Sequence, residues 1–417
     1  TLPKDIERQP TSAWDRPQDT RLGRSLADGL AGHPGLSGFQ LLGSGPDAFV
    51  ARMALAEAAE RTLDVQYYIF HGDLTGKLIL DRLLQAADRG VRVRILLDDI
   101  GTAKQDAVVA AVSSHPNIEV RLFNPAAGRS GVRRLASQGA EFSRINHRMH
   151  NKLFAADAAA AVAGGRNIGD EYFGAKGDVN FADLDLLAVG PVVADLSRSF
   201  DEFWNSDWSV PIEAFTAPPD QDVLVQVRNA LADHRRATAG SEYAERLMAS
   251  GLLRRLLTND LPLVWAASQI VYDRPAKAGS EGDPDARLLL GPQLRSSVAD
   301  IRSELVISSP YFIPGEEGIK RFAELRDRGV RIRIVTNSLA ASDVAAVHSG
   351  YAKYRKDLLK LGVELYEIKP SLAAASEQDR SRFGSSGASL HAKAFVFDRT
   401  RLFVGSLNLD PRSLRLN

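Results

Sequence analysis

Two stretches of the chain share one pattern. "HNKLFAADAAAAVAGGRN" runs from His150 to Asn167, and "HAKAFVFDRTRLFVGSLN" runs from His391 to Asn408. Each reads His-x-Lys, four residues, Asp, six residues, Gly followed by Gly or Ser, one residue, Asn. A pattern of this length arises by chance at roughly one in ten million starting positions. Its return about 240 positions later points to a unit built twice. The flanks agree, because "DRGVRVRILLDD" before the first motif and "DRGVRIRIVTNS" before the second are nearly superimposable.

Strand-like and helix-like runs alternate within each repeat. "TLDVQYYIFHGD" is rich in β-branched and aromatic residues, "TGKLILDRLLQAADRG" is amphipathic and closes at Gly90, and "VRVRILLDD" alternates as a strand does. "LVISSPYFIPGEEG" and "IKRFAELRDRG" hold the same places in the second repeat. This order predicts an α/β fold, with one α/β sandwich per repeat and mixed β-sheets. At 417 residues the chain is long enough for two such units. The expected parts are an irregular N-terminal arm (1–40, with a short helix near 22–30), a first half (41–210), a helical and loop connection (211–282) and a second half (283–417).

Composition narrows the chemistry. Lys+Arg and Asp+Glu are both 52, so the net charge is zero, which argues against a general nucleic-acid binder. There is no cysteine, which excludes disulfides, thiolate metal sites and a cysteine nucleophile. No apolar run reaches the roughly 18 residues of a membrane span. The first residue is Thr rather than Met, so an N-terminal segment is expected to have been processed or trimmed, with a signal sequence or lipid anchor as what could have stood there.

On a strand, side chains two apart share a face, so His150 projects with Lys152 and His391 with Lys393. Asp157 and Asp398 fall where each strand turns, and the returning strands bring Asn167 and Asn408 back towards the His-Lys faces. Two lysines and two asparagines make a donor-rich pocket suited to a tetrahedral anion, with a phosphodiester as the natural candidate. Gly165 and Ser406 are expected to let turn N–H groups approach that phosphate. Two imidazoles then divide the work: one attacks phosphorus and the other protonates the leaving alkoxide, with no metal or cofactor. The duplication follows, because the histidines must flank phosphorus from opposite sides.

These motifs resemble those of the phospholipase D superfamily, whose mark is the doubled His-x-Lys-x4-Asp pattern. "VQYYIFHGDLTG", "GGRNIGDEYF", "FADLDLLAVGPVV", "SSPYFIPG", "AVHSGYAKYRKDLL" and "GSLNLDPRS" are similar to bacterial cardiolipin synthases, specifically a cardiolipin synthase C-like branch. The likeness spans about residues 40 to 417. It implies two pseudo-twofold-related halves with one shared active site, His150 as nucleophile and His391 as general acid and then base. Lys152, Lys393, Asn167 and Asn408 would bind phosphoryl oxygens, Asp157 and Asp398 would orient the site, and Glu171 would be the carboxylate orienting the partner histidine. The implied substrates are phospholipids (phosphatidylglycerol, with phosphatidylethanolamine as a second donor), at a membrane surface that the protein meets peripherally or through a lipid anchor. The resemblance also implies that the chain stops short of a second orienting carboxylate and the closing strands. Hydrolysis to phosphatidic acid, a nuclease-type phosphodiesterase and a non-catalytic lipid-binding module are the rival readings.

Softer signals remain. The arginine-rich run 128–152 suggests a mouth attracting anionic headgroups, against a plain solvated loop. Tyr68 and Tyr311 look equivalent and are candidate pocket linings, with a core or edge position as the alternative. His348 and Tyr351 are candidate substrate contacts, with a structural place in a helix as the alternative. "FDEFWNSDW" (200–208) reads as an amphipathic helix covering the sheet, with a membrane-facing role as the lesser reading.

Overall fold

Both repeats fold around the same five-strand arrangement. The computed structural model describes residues 8–101, 105–126, 147–176, 180–258, 260–279, 285–342, 345–369 and 388–410. The first half contributes β1 (Ser37–Leu42), β2 (Thr62–Tyr67), β3 (Arg92–Asp98), β4 (Ile118–Phe123), β5 (Leu153–Ala156), β6 (Ala160–Gly164), β7 (Asn180–Ala182), β8 (Asp185–Val189) and β9 (Ser209–Pro211). The connection adds β10 (Val264–Ala266). The second half contributes β11 (Glu304–Ser308), β12 (Arg331–Asn337), β13 (Glu364–Ile368), β14 (Ala388–Leu390), β15 (Lys393–Phe397) and β16 (Arg401–Gly405).

The larger sheet runs β10-β1-β8-β6-β5-β2-β3-β4-β9, and the smaller runs β13-β12-β11-β15-β16. The smaller repeats the segment β4-β3-β2-β5-β6, with parallel and antiparallel pairs in the same places. Mixed sheets in an α/β fold are thus what the pattern required. The repeated "DRG" turn shows why glycine stands there: Gly90 and Gly329 have φ of +92° and +81°, where a Cβ would be strained.

β2, β5 and β6 are buried almost throughout, so they read as apolar runs rather than alternating ones. Helices Gly45–Ala58 and Leu74–Asp88 cover one face of the larger sheet, capped by Ser44 and Asp73. Helix Pro191–Trp204 covers the other face and buries Phe200, Phe203 and Trp204 completely. The aromatic side chains of "FDEFWNSDW" therefore serve the core, as the covering-helix reading had it. The second half has its own core around Leu305, Ile307, Ile332, Ile334, Phe395 and Phe397.

Two segments differ from the expected division. The arm has short helices at Arg21–Ser25 and Ala27–Gly32, and the residues around Gln9 and Thr11 form a strap held against the sheet. Arg94 and Arg121 hold the carbonyls of Thr11 and Gln9 at 2.9 and 2.8 Å. The connection is largely part of the first half: β10 extends its sheet, and helix Gln221–Thr238 packs on Leu74–Asp88, where Arg228 binds Asp88 at 2.5 and 2.7 Å. Three-residue β10 carries too little pattern to be seen in sequence.

The halves meet in a third, two-stranded sheet. β14 pairs in parallel with β7, and the N–H groups of His391 and Ala392 continue onto the Ala182 carbonyl at 2.8 and 3.0 Å. The strand entering the second motif is thereby stitched to the first half.

Candidate active site

Each motif is held in place by the same two devices. Asp157 and Asp398 sit at left-handed turns (φ +54° and +52°), a conformation that Asp tolerates better than most residues. Asp157 accepts the N–H groups of Glu60, Arg61 and Thr62 at 2.7 to 3.2 Å. Asp398 accepts those of Arg302, Ser303 and Glu304 over the same range. Both aspartates thus clamp the motif strand to its neighbour, in line with an orienting role. At the other end, Asp98 accepts the N–H of Met149 at 3.0 Å, and Asn337 accepts that of Leu390 at 2.8 Å. Each imidazole therefore sits on a segment anchored at both ends.

The four catalytic-type side chains then converge across the interface. Nδ1 of His150 lies 3.0 Å from the backbone carbonyl of Ser406, in the other half. Nδ1 of His391 lies 2.5 Å from Oδ2 of Asp183, again in the other half. Lys152 Nζ donates to the His150 carbonyl at 2.9 Å, and Lys393 Nζ to the His391 carbonyl at 2.5 Å. Lys393 Nζ is also 3.1 Å from His391 Nδ1, but the nearer carboxylate takes the proton on that nitrogen.

The charges of these groups reach one another. Burial, then Lys152, Lys393 and His391, hold His150 well below the ordinary imidazole value. Burial, then Lys393, hold Lys152 well below the ordinary lysine value. His391 is lowered by burial and Lys393, against the pull of Asp183. Burial pushes the Asp183 carboxyl up, but His391, Lys393 and Arg166 outweigh it and keep it ionised. Two lysines and two imidazoles gathered around the single carboxylate that, among the described residues, touches His391 leave donors in excess of acceptors, the electrostatic form of a phosphate site.

The asparagines are less alike. Asn167 accepts the Ile69 N–H at 3.2 Å and donates to the Tyr172 hydroxyl at 2.9 Å, leaving one amide proton for a ligand. Asn408 is buried, and its Oδ1 has no partner among the described residues. Tyr68 stands beside the first motif, its ring 4.9 Å from that of His150 and 5.3 Å from Lys152 Nζ.

Other expected residues stand elsewhere. Glu171 faces His71, with Oε1 3.4 Å from Nε2, and the carboxylate on His391 is Asp183 instead. The family resemblance put Glu171 in that place; Asp183 comes later, as the third residue of "FADLDLL", where an acid beside a buried strand is the available signal. Gly165 does not offer its N–H to a ligand, because that group bonds Leu184 O at 3.1 Å. Glycine is needed there because a Cβ would lie 2.2 Å from Asp183 Oδ1. Ser406 acts through its carbonyl.

Tyr311 is not the counterpart of Tyr68. Phe70 bridges Ile168 as Phe312 bridges Leu409, so Tyr311 aligns with Ile69, and Pro310 with Tyr68. Tyr351 is a core residue whose hydroxyl meets Glu367 at 3.0 Å, and His348 packs edge-on against its ring. Most of the arginine-rich run, 127–146, lies outside the described residues. Arg148 of that run faces inward, 3.4 Å from Asp98.

Comparison with known proteins decides the family. The family described as "Cardiolipin synthase, PLD-like domain" matches residues 53–204 and 295–417, both repeats together. The chain belongs to this family. Cardiolipin synthase C of Escherichia coli (strain K12) is 43% identical over 398 residues, covering 95% of this chain and 83% of that one. Cardiolipin synthase A of Pseudomonas syringae pv. syringae is 26% identical, over 91% of this chain and 63% of its own. Among solved structures, phosphatidylserine synthase from Haemophilus influenzae Rd KW20 matches with a TM-score of 0.57 and 14% identity, covering 94% of this chain and 84% of that one. That likeness carries the fold. Among the described residues, no helix is long and apolar enough to cross a membrane.

Proposed function

We propose that the protein is a phosphatidyltransferase that makes cardiolipin through a phosphatidyl-histidine intermediate, working at a membrane surface. The observation that carries the reading is the unlike pair of Nδ1 partners. A carbonyl can only accept, so His150 holds its proton on Nδ1 and leaves Nε2 as a bare lone pair. Depression by burial and two lysines keeps that nitrogen unprotonated near neutral pH. His391 instead has a carboxylate, which stabilises an imidazolium as it forms. The first is built as a nucleophile and the second as a proton carrier.

The steps balance. His150 Nε2 attacks phosphorus while the bond to the leaving headgroup oxygen breaks, and His391 Nε2 gives its proton to that oxygen. The negative phosphoryl oxygens sit with Lys152 and Lys393, and their arrival relieves the lysine repulsion that otherwise holds His391 deprotonated. A hydroxyl of phosphatidylglycerol then enters, loses its proton to His391 and attacks phosphorus. The P–N bond breaks and His150 is restored.

Family membership supports a phospholipid as the substrate, and the relatives' names support cardiolipin as the product. The test is incubation of purified protein with vesicles of labelled phosphatidylglycerol, with and without phosphatidylethanolamine, and separately with single-stranded DNA. Labelled cardiolipin is expected. Phosphatidic acid would make the protein a phospholipase, cleaved DNA a nuclease, and no turnover a binding module.

A further inference from the structure

Arg166 occupies the one position between Gly165 and Asn167 that the motif pattern leaves open. Its side chain is fully buried, yet it is bound on every side. Nε donates to the Tyr172 carbonyl at 3.1 Å, Nη1 to Leu42 O at 2.8 Å, and Nη2 to Gly43 O at 2.7 Å and Asp183 O at 2.5 Å. Its charge is met by Asp185, whose Oδ2 is 3.5 Å away and whose Oδ1 also accepts the Arg166 N–H at 3.1 Å. Asp185 is fixed in turn by Arg52 at 2.9 Å.

Two of the carbonyls it grips belong to first-half residues whose side chains meet the His391 ring. Asp183 bonds Nδ1, and the Tyr172 ring stands edge-on at 5.2 Å. The corresponding position in the second motif is Leu407, an apolar residue that gives His150 no such clamp. Resting on the phosphatidyl-transfer reading above, we infer that Arg166 is a positioning residue for the proton donor. It fixes Asp183 and Tyr172 so that His391, arriving from the other half, is aligned and stabilised as the acid. A planar five-donor fork can hold carbonyls in several directions at once, which a lysine cannot.

This role separates from a purely structural one by leaving-group chemistry. Phosphatidylglycerol must expel an alkoxide, which needs a proton; phosphatidyl-p-nitrophenol expels a phenolate, which does not. In Arg166→Lys, turnover of phosphatidylglycerol in mixed micelles is expected to fall about 10²-fold, since misplacing a catalytic group by about 1 Å costs that much. The p-nitrophenolate burst, reporting attack by His150 alone, is expected to fall less than about 3-fold, because acid catalysis is not required for it. Asp183→Asn should show the same split. Proportional loss with both donors, or loss with neither, overturns the inference; Arg166→Met, if it folds by its thermal transition, must follow Arg166→Lys. Failure of the wild-type protein to turn over either donor instead overturns the phosphatidyl-transfer reading, and this inference with it.

Discussion

His391 and Asp183 stand 208 residues apart in the chain, yet Nδ1 of the one lies 2.5 Å from Oδ2 of the other. The bond crosses from the second half to the first. Its mirror relationship, His150 on the Ser406 carbonyl, crosses in the opposite direction. Each half therefore completes the other's histidine, and unequal completion gives the two rings different work.

Replacing Asp183 by Asn should keep the shape of this contact and remove the charge that supports an imidazolium. The expected loss in kcat is about 10²- to 10⁴-fold, the usual worth of positioned general acid–base catalysis. Steady-state turnover of phosphatidylglycerol measures it. KM should change little, because Asp183 faces the imidazole and leaves phosphate binding to the lysines.

Gly165→Ala should act on the same contact from behind. The new methyl would stand 2.2 Å from Asp183 Oδ1, so that carboxylate must move. An activity loss of at least about 10²-fold is expected from such a displacement. Kinetics and a thermal melt on one preparation distinguish this from unfolding.

Asp157→Ala should behave in the opposite way, losing stability first. Three backbone N–H groups lose their acceptor, that of Thr62 in a buried bond and those of Glu60 and Arg61 in part-buried ones, which costs about 2 to 3 kcal/mol. Asp157→Asn keeps an acceptor oxygen and should lose much less. Denaturant unfolding of the pair checks both.

How much of this could be read in advance differs residue by residue. The doubled motif singled out His150, Lys152, His391 and Lys393, and the fold brings all four to the seam between the halves, although β5 and β15 begin only at Leu153 and Lys393. The sheets followed from the alternation of runs. Asp183 escaped because its partner lies in the other half, and no local pattern records a contact over 208 positions. Glu171 was carried over by resemblance to the family's motif, which does not record which carboxylate the fold sets against His391. Tyr311 was misaligned with Tyr68 because the repeats differ by one residue there, a shift only the bridges Phe70–Ile168 and Phe312–Leu409 reveal. The strand β10 was lost in the connection because three residues carry no periodicity.

Unliganded protein should lose stability in mild acid. His150 and His391 are both held below the ordinary imidazole value, by burial first and by the lysines next. As pH falls through about 6.5, the unfolded chain takes up protons that the native site still refuses. Stability from this source is therefore full above about pH 6.5 and declines below it, towards the depressed native values. Vanadate or phosphate should raise the melting temperature, by the equivalent of about 2.7 kcal/mol at a hundredfold excess over Kd. Lys152→Met and Lys393→Met should each weaken the anion effect and flatten the acid slope.

The division of labour between the two histidines is tested most directly by trapping the intermediate. His391→Ala, mixed with phosphatidyl-p-nitrophenol, has a leaving group that needs no acid and lacks the base that would release the product. Mass spectrometry of the digested protein should find the phosphatidyl group on His150 and on no other residue. A phosphatidyl group on any other side chain, or one that forms in His150→Ala, would contradict the account.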